Sequence, residues 1–285
     1  LATSVVLLSS FAAPKDVIMI AVDDMRPELN CYGCEYMKTP NMNALAAESV
    51  TFDRMYTGLA LCAPSRTIFL TTRRPDTSRV WTISPKQYWR VSGGNFTTLP
   101  QTFKERGYLT IGTGKIFHPG GPSNNSDAEY SWSHEALDMT IDGEPCPKLT
   151  CYINTFPEIT EHNDSIYTSP AVHPQNCTPD ASGEGLLANH MVSMLELIAS
   201  KRKGGDKRPF FFAAGFHRPH IPWHAPQEFY DLYDLDMPLA PHPSPPTTSE
   251  GENCPNSLAL NNNWVGKGFN YTFGNASFPI GQGYW

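Results

Sequence analysis

Nothing past the first dozen residues of this 285-residue chain is long and apolar enough to cross a bilayer. Charge is sparse as well: 17% of residues are charged, and 21 Lys+Arg stand against 28 Asp+Glu. A net charge of −7 excludes a general affinity for nucleic acid, so an anionic ligand would need a local basic site set against an acidic background. No internal repeat occurs, which excludes a solenoid. Residues 119–180 and 238–285 lack hydrophobic periodicity and read as long surface loops. What the chain does have is 26 prolines and 21 glycines, the mark of irregular segments laid over a regular scaffold, and a 40% hydrophobic content sufficient for a sizeable core.

Several features suit an oxidising compartment. The opening LATSVVLLSSFAAP resembles the apolar part and small-residue cleavage site of a secretory signal, so residues 1–12 are expected to be a partial signal peptide. Six Asn-x-Ser/Thr sequons, at Asn95, Asn124, Asn163, Asn176, Asn270 and Asn275, suggest a glycosylated surface. Seven cysteines, Cys31, Cys34, Cys62, Cys146, Cys151, Cys177 and Cys254, leave one unmatched if the rest form disulfides; Cys146, Cys151 and Cys177 are good disulfide candidates.

Strand and helix patterns alternate. DVIMIAV at 16–22 reads as a strand buried on both faces, Tyr108–Gly112 as a strand and Pro209–Phe216 as another buried strand. Thr39-Pro40 starts a helix, Pro64 opens another, Thr97–Arg106 ends at Gly107, and Leu186–Arg202 carries Leu187, Met191, Met194, Leu195 and Ile198 on one face. The order predicts an α/β fold: a mostly parallel sheet flanked by helices.

All three candidate strands end in reactive groups: Asp23-Asp24, then Lys115 with His118, then His217 with His220. In open α/β sheets ligands bind at the C-terminal ends of strands. Adjacent carboxylates repel unless a cation neutralises them, and oxygen ligands favour a hard ion; the alternative for Asp23-Asp24 is a simple turn. His217-Arg218-Pro219-His220 offers two imidazoles, for which zinc is the other candidate. Cys62, Ser65 and Arg66 sit in LCAPSRTIFLTTRRPDTSR, where a thiol meets a concentration of positive charge.

Cys62-Ala63-Pro64-Ser65-Arg66 matches the pattern C-x-P-S-R, and with DVIMIAVDDMRPELNCYG, TPNMNALAAESVTF, YWRVSGGNFTTLPQTFKERGY, GKIFHPG, SWS and FHRPHIPWHAPQEFYDLY it resembles the type I, formylglycine-dependent sulfatases over about residues 16–135 and 185–240. That resemblance implies an alkaline phosphatase/sulfatase-like fold and a sulfuric ester hydrolase. Cys62 would be oxidised by a formylglycine-generating enzyme to 3-oxoalanine, whose hydrate attacks sulfur and later expels sulfate. Asp23 and Asp24 match calcium ligands, with Cys62 completing them through its diol; Arg66 matches the arginine that holds that diol. His118 matches a proton-transfer histidine, and Lys115 and His217 match sulfate-binding residues. The implied substrate is the 2-O-sulfate of iduronate in dermatan and heparan sulfate, with Arg73, Arg74, Arg79 and Arg90 available for the sugar carboxylate, and the implied location is lysosomal or secreted.

Two departures stand out. Family members read Leu-Thr-Gly-Arg after the signature, where this chain has Leu70-Thr71-Thr72-Arg73. The later D-H-G segment with the remaining calcium ligands, and a second sulfate-binding lysine, have no counterpart, so this chain is expected to be inactive by itself. The expected organisation is 14–240 as the N-terminal part of a catalytic domain and 241–285 as a loop-rich extension. Two alternatives remain: a phosphatase or phosphodiesterase of the same superfamily, disfavoured by Cys62 where those use Ser or Thr, and an inactive sulfatase-like protein that binds sulfated glycans.

Overall fold

A computed structural model of the chain describes residues 14–83, 88–133, 140–141, 144–145, 173–175, 178–220, 224–233, 270–273 and 276–279. The opening segment 1–12, the sequons at Asn163, Asn176 and Asn275, and Cys146, Cys151, Cys177 and Cys254 lie outside them. The chain forms two compact units, one from Leu1–Ala21, Thr57–Tyr152 and Ser193–Gly215, the other from Val22–Tyr56, Ile153–Val192 and Phe216–Trp285.

The first unit is built on a sheet of β1 (Val17–Val22), β2 (Leu109–Gly114) and β6 (Phe210–Phe216), ordered β1-β6-β2. Strand β6 takes the middle because FFFAAG is apolar on both faces; every residue from Phe210 to Gly215 is buried. It pairs in parallel with β2, Leu109 opposite Phe210 and Gly114 opposite Gly215. Strand β1 is not buried on both faces as its composition predicts. Val17, Met19 and Ala21 pack on the core cluster of Leu70, Ile116, Phe117, Trp132, Phe211 and Ala213, while Ile18 and Ile20 are 49% and 58% exposed. Successive side chains of a strand point to opposite faces of the sheet, so the packed and the open residues of β1 alternate, whereas β2, at the other edge of the same sheet, is buried on both faces.

Helices α2 (Cys62–Thr71), α3 (Pro75–Ser78), α4 (Trp89–Ser92), α5 (Leu99–Glu105) and α6 (Ala128–Ser131) belong to this unit. Thr98 caps α5 in a capping box with Gln101, and Gly107 at φ 83 turns the chain away after it. The stretch 119–133, expected to be loose, is tightly folded. Ser123, Ser126, Asp127, Ser131, Trp132 and Ser133 are buried, and Ser133 pairs with β2 through Ser133 N–H to Thr110 O (3.0 Å) and Thr110 N–H to Ser133 Oγ (2.9 Å). Its interior is polar and hydrogen-bonded, so it carries no hydrophobic period to read. A two-residue pair, β3 (Thr140–Ile141) with β4 (Glu144–Pro145), completes the described parts of this unit.

The second unit contains α1 (Pro40–Ala47), the short parallel pair of β5 (His173–Gln175) and β7 (His224–Pro226), α8 (Gln227–Tyr230), and the hairpin β8 (Asn270–Phe273) with β9 (Ala276–Pro279). Helix α7 (Gly183–Lys203) begins here and continues into the first unit; of its predicted apolar face Leu187, Met194 and Ile198 are buried. No described helix is long and apolar enough to cross a membrane.

Candidate functional site

The predicted site residues fall into two sets, one in each unit. In the first, Cys62 opens α2: it is the first helical residue, after an extended Leu61, and is half-buried. Pro64 suits this first turn because its missing N–H would have no helical acceptor there, and its φ is already helical. The helix therefore begins two residues before the Pro64 expected to open it, which puts the thiol at the positive end of the helix dipole. Ser65 Oγ bonds Thr57 Oγ1 at 3.0 Å across the approach to α2.

One turn further, Arg66 is only 4% exposed and its Nη1 donates to the main-chain carbonyls of Lys115 and Ile116, the latter at 3.0 Å. Lys115 is itself buried at 6% exposure, directly after β2, and its N–H donates to Gly215 O at 2.8 Å. This approach admits no side chain on β6: a Cβ at Gly215 would lie 2.0 Å from Lys115 O. A guanidinium held by two carbonyls keeps its charge in a fixed place. His118, half-buried, uses Nδ1 on the carbonyl of Pro119 at 2.8 Å. A carbonyl only accepts, so Nδ1 carries the proton and Nε2 is the basic nitrogen of the neutral ring.

In the second set, Asp23 is 4% exposed and Asp24, in a left-handed turn at φ 55, is exposed. Asp23 N–H donates to Phe216 O at 3.0 Å, tying the residue after β1 to the last residue of β6. His217 Nδ1 lies 3.9 Å from Asp23 Oδ2, and His220 Nε2 lies 3.6 Å from Asp24 Oδ2. The two imidazoles pack 4.5 Å apart. One ligand atom each from Asp23, His217 and His220 lie within 4.8 Å of one another, a carboxylate and imidazole set able to hold a divalent cation. A carboxylate as buried as that of Asp23 calls for a countercharge or hydrogen-bond partners, which a cation or the neighbouring imidazole can supply.

One expectation changes. Arg90 is no substrate ligand: its side chain is 5% exposed, it bridges Asp127 at 2.6 and 2.8 Å, donates to Gln101 Oε1 at 2.8 Å, and lies between the rings of Trp89 and Tyr130. Arg73, Arg74 and Arg79 are exposed. The structure also adds Glu184, whose carboxylate accepts the N–H groups of His217 and Arg218, both at 3.1 Å. No spacing rule points to it; only the Ser182-Gly183-Glu184 start of α7 hints at an acidic first turn.

Comparison with known proteins follows the same lines. A family model described as Sulfatase matches residues 15–239. Iduronate 2-sulfatase of Homo sapiens is 38% identical over 245 residues, covering 81% of this chain and 40% of that protein, and the Mus musculus protein is 39% identical over 237 residues with the same coverage. Arylsulfatase A of Homo sapiens is 30% identical over 228 residues, covering 76% of this chain and 44% of its own. The chain thus spans about two fifths of the length of these curated relatives. Among solved structures, Ps i-CgsB in complex with k-i-k-neocarrahexaose superposes with a TM-score of 0.54 at 16% identity, covering 79% of this chain and 49% of that one. The phosphonate monoester hydrolase of Agrobacterium radiobacter gives 0.52 at 19%, covering 78% and 44%. These likenesses concern the fold.

Proposed function

The chain belongs to the sulfatase family, and from that premise we propose that the protein it forms part of hydrolyses a sulfate ester, with the 2-O-sulfate of iduronate in dermatan and heparan sulfate as substrate. The observation that carries this reading is Cys62 in C-A-P-S-R at the first turn of α2, one turn from a buried arginine held by main-chain carbonyls. Phosphatases of the superfamily have Ser or Thr at that place. The identity to iduronate 2-sulfatases supports the substrate.

In this proposal Cys62 is matured to formylglycine by its generating enzyme, and the hydrated aldehyde supplies an oxygen nucleophile together with a built-in means of releasing sulfate. Arg66 holds the diol in place, and Lys115 offsets the negative charge of the sulfuryl group as it transfers. His118 moves a proton at Nε2, and His217 faces the ester. Asp23 and Asp24 are assigned to a divalent cation, calcium by family resemblance; their carboxylates suit a hard ion. The full-length protein is assigned to the lysosome or the secreted fraction, consistent with exposed sequons at Asn95 and Asn124.

The test is the mass of the proteolytic peptide that carries Cys62, from protein made in a cell with the maturation enzyme. An aldehyde in place of the thiol is expected, and the full-length protein should then desulfate a 2-O-sulfated iduronate disaccharide, with Cys62→Ala inactive. An unmodified thiol together with retained binding of sulfated glycan would replace the enzyme by a binding protein.

A further inference from the structure

We infer that Glu184 is a positioning residue that sets the two histidines after β6 through their main chain, an inference that rests on the sulfatase reading. Glu184 lies in the first turn of α7. Its Oε2 accepts the N–H of His217 and its Oε1 the N–H of Arg218, each at 3.1 Å. One acceptor would fix the position of this segment; two on one rigid carboxylate also fix its rotation. His220 N–H returns to His217 O at 3.0 Å, so the turn is held at its start by Glu184 and closed on itself at its end. Both imidazoles issue from this turn, His217 toward Asp23 and His220 toward Asp24.

The start of α7 is itself fixed. Ser182 Oγ accepts Gly185 N–H at 3.0 Å and donates to Pro179 O at 2.6 Å. A Cβ at Gly185 would lie 1.8 Å from Pro179 O, so only glycine permits this turn to fold against the helix start. The ordinary role of a first-turn acid is to complement the helix dipole, which asks only for negative charge near the N-terminus. Glu184 instead directs both oxygens to another segment of chain.

The test compares Glu184→Gln with Glu184→Asp in the full-length protein. Gln keeps the size but turns an amide N–H₂ toward one main-chain N–H; Asp keeps two acceptors. In wild-type protein the His217 and Arg218 amides should exchange slowly with deuterium, and in E184Q about tenfold faster or more. On the 2-O-sulfated iduronate disaccharide, E184Q should lower kcat about tenfold or more with KM changed less than about threefold, and E184D should recover part of that loss at an equal thermal midpoint. Rapid exchange of both amides in the wild type, unchanged kcat in E184Q, or equal losses in both variants would each overturn the inference. If E184Q does not fold, wild-type exchange and E184D kinetics against wild type still decide it. A wild type that cleaves no sulfate ester removes the sulfatase reading instead, and slow or rapid exchange of the two amides then decides by itself whether the clamp exists.

Discussion

Thr72 shows how much one side chain can matter outside the reacting groups. It closes α2 with φ 57 and ψ 29, the left-handed conformation that a helix end commonly assigns to glycine. For an L-residue this costs about 1–2 kcal/mol, and a β-branched one is the least suited. Its Oγ1 donates to the carbonyl of the neighbouring Thr71 and accepts from the exposed Arg73 Nη1, and these local contacts offset little of that. Thr72→Gly should therefore stabilise the fold by about 0.5–1 kcal/mol once the greater freedom of glycine in the unfolded chain is subtracted. Thr72→Ala, which keeps the Cβ, should not. Urea unfolding of the two variants separates relief of strain from loss of the hydroxyl. The departure from Leu-Thr-Gly-Arg was visible in the sequence, and so was its physical meaning, because the conformational preference of glycine is a local property.

At the scale of elements the sequence was legible where structure is built from apolar periodicity and opaque where it is built from polar contacts. Helices α1, α5 and α7 begin and end where their Pro, Thr and Gly signals put them, within a few residues. Asp23, Asp24, Lys115, His118, His217 and His220 were legible as candidates because they follow β1, β2 and β6, whose apolar runs are plain. Segment 119–133 was missed because its interior is serine, aspartate and arginine contacts. Arg90 and Asp127 hold it to α4. Burial pushes the Asp127 carboxyl up to about 7 and the Arg90 guanidinium down to about 10. The two-point bridge, and a hydrogen bond from Ser131 to Asp127, favour the charged forms. Asp127→Asn would leave a buried guanidinium without its countercharge and should destabilise by about 3–5 kcal/mol. Arg90→Met combined with it should cost clearly less than the two single losses added, since the penalty belongs to the orphaned charge. A double-mutant cycle by thermal unfolding measures that difference.

At the scale of the whole molecule, chain segments almost two hundred residues apart have to find each other before either strand β1 or β6 is useful. Asp16 performs that joining in the first unit. Its carboxylate takes Arg202 Nη1 at 2.7 Å and Arg202 Nη2 at the C-terminal end of α7, and it accepts Phe210 N–H at 3.1 Å at the start of β6. Arg202 also lies over the Phe210 ring, 5.2 Å from its centre. The hydrogen bond from Arg202, with help from Phe210 N–H, holds the Asp16 carboxyl below its usual range. For an acid whose folded pKa is depressed, the stabilisation is present above the unfolded pKa, near 3.9, and disappears as pH falls through the folded value. The pair is about one third exposed, so solvent screening limits its worth to about 0.5–1.5 kcal/mol. Asp16→Asn should therefore lower stability by about that amount at pH 7, and the gap between the two proteins should narrow steadily as the pH is taken below 4. Chemical unfolding of wild type and variant at pH 7, 5 and 3 follows the trend, and 1 M salt at pH 7 should remove part of it. A gap that stayed constant from pH 7 to pH 3 would mean that Asp16 works through the geometry of its hydrogen bond to β6 and not through its charge.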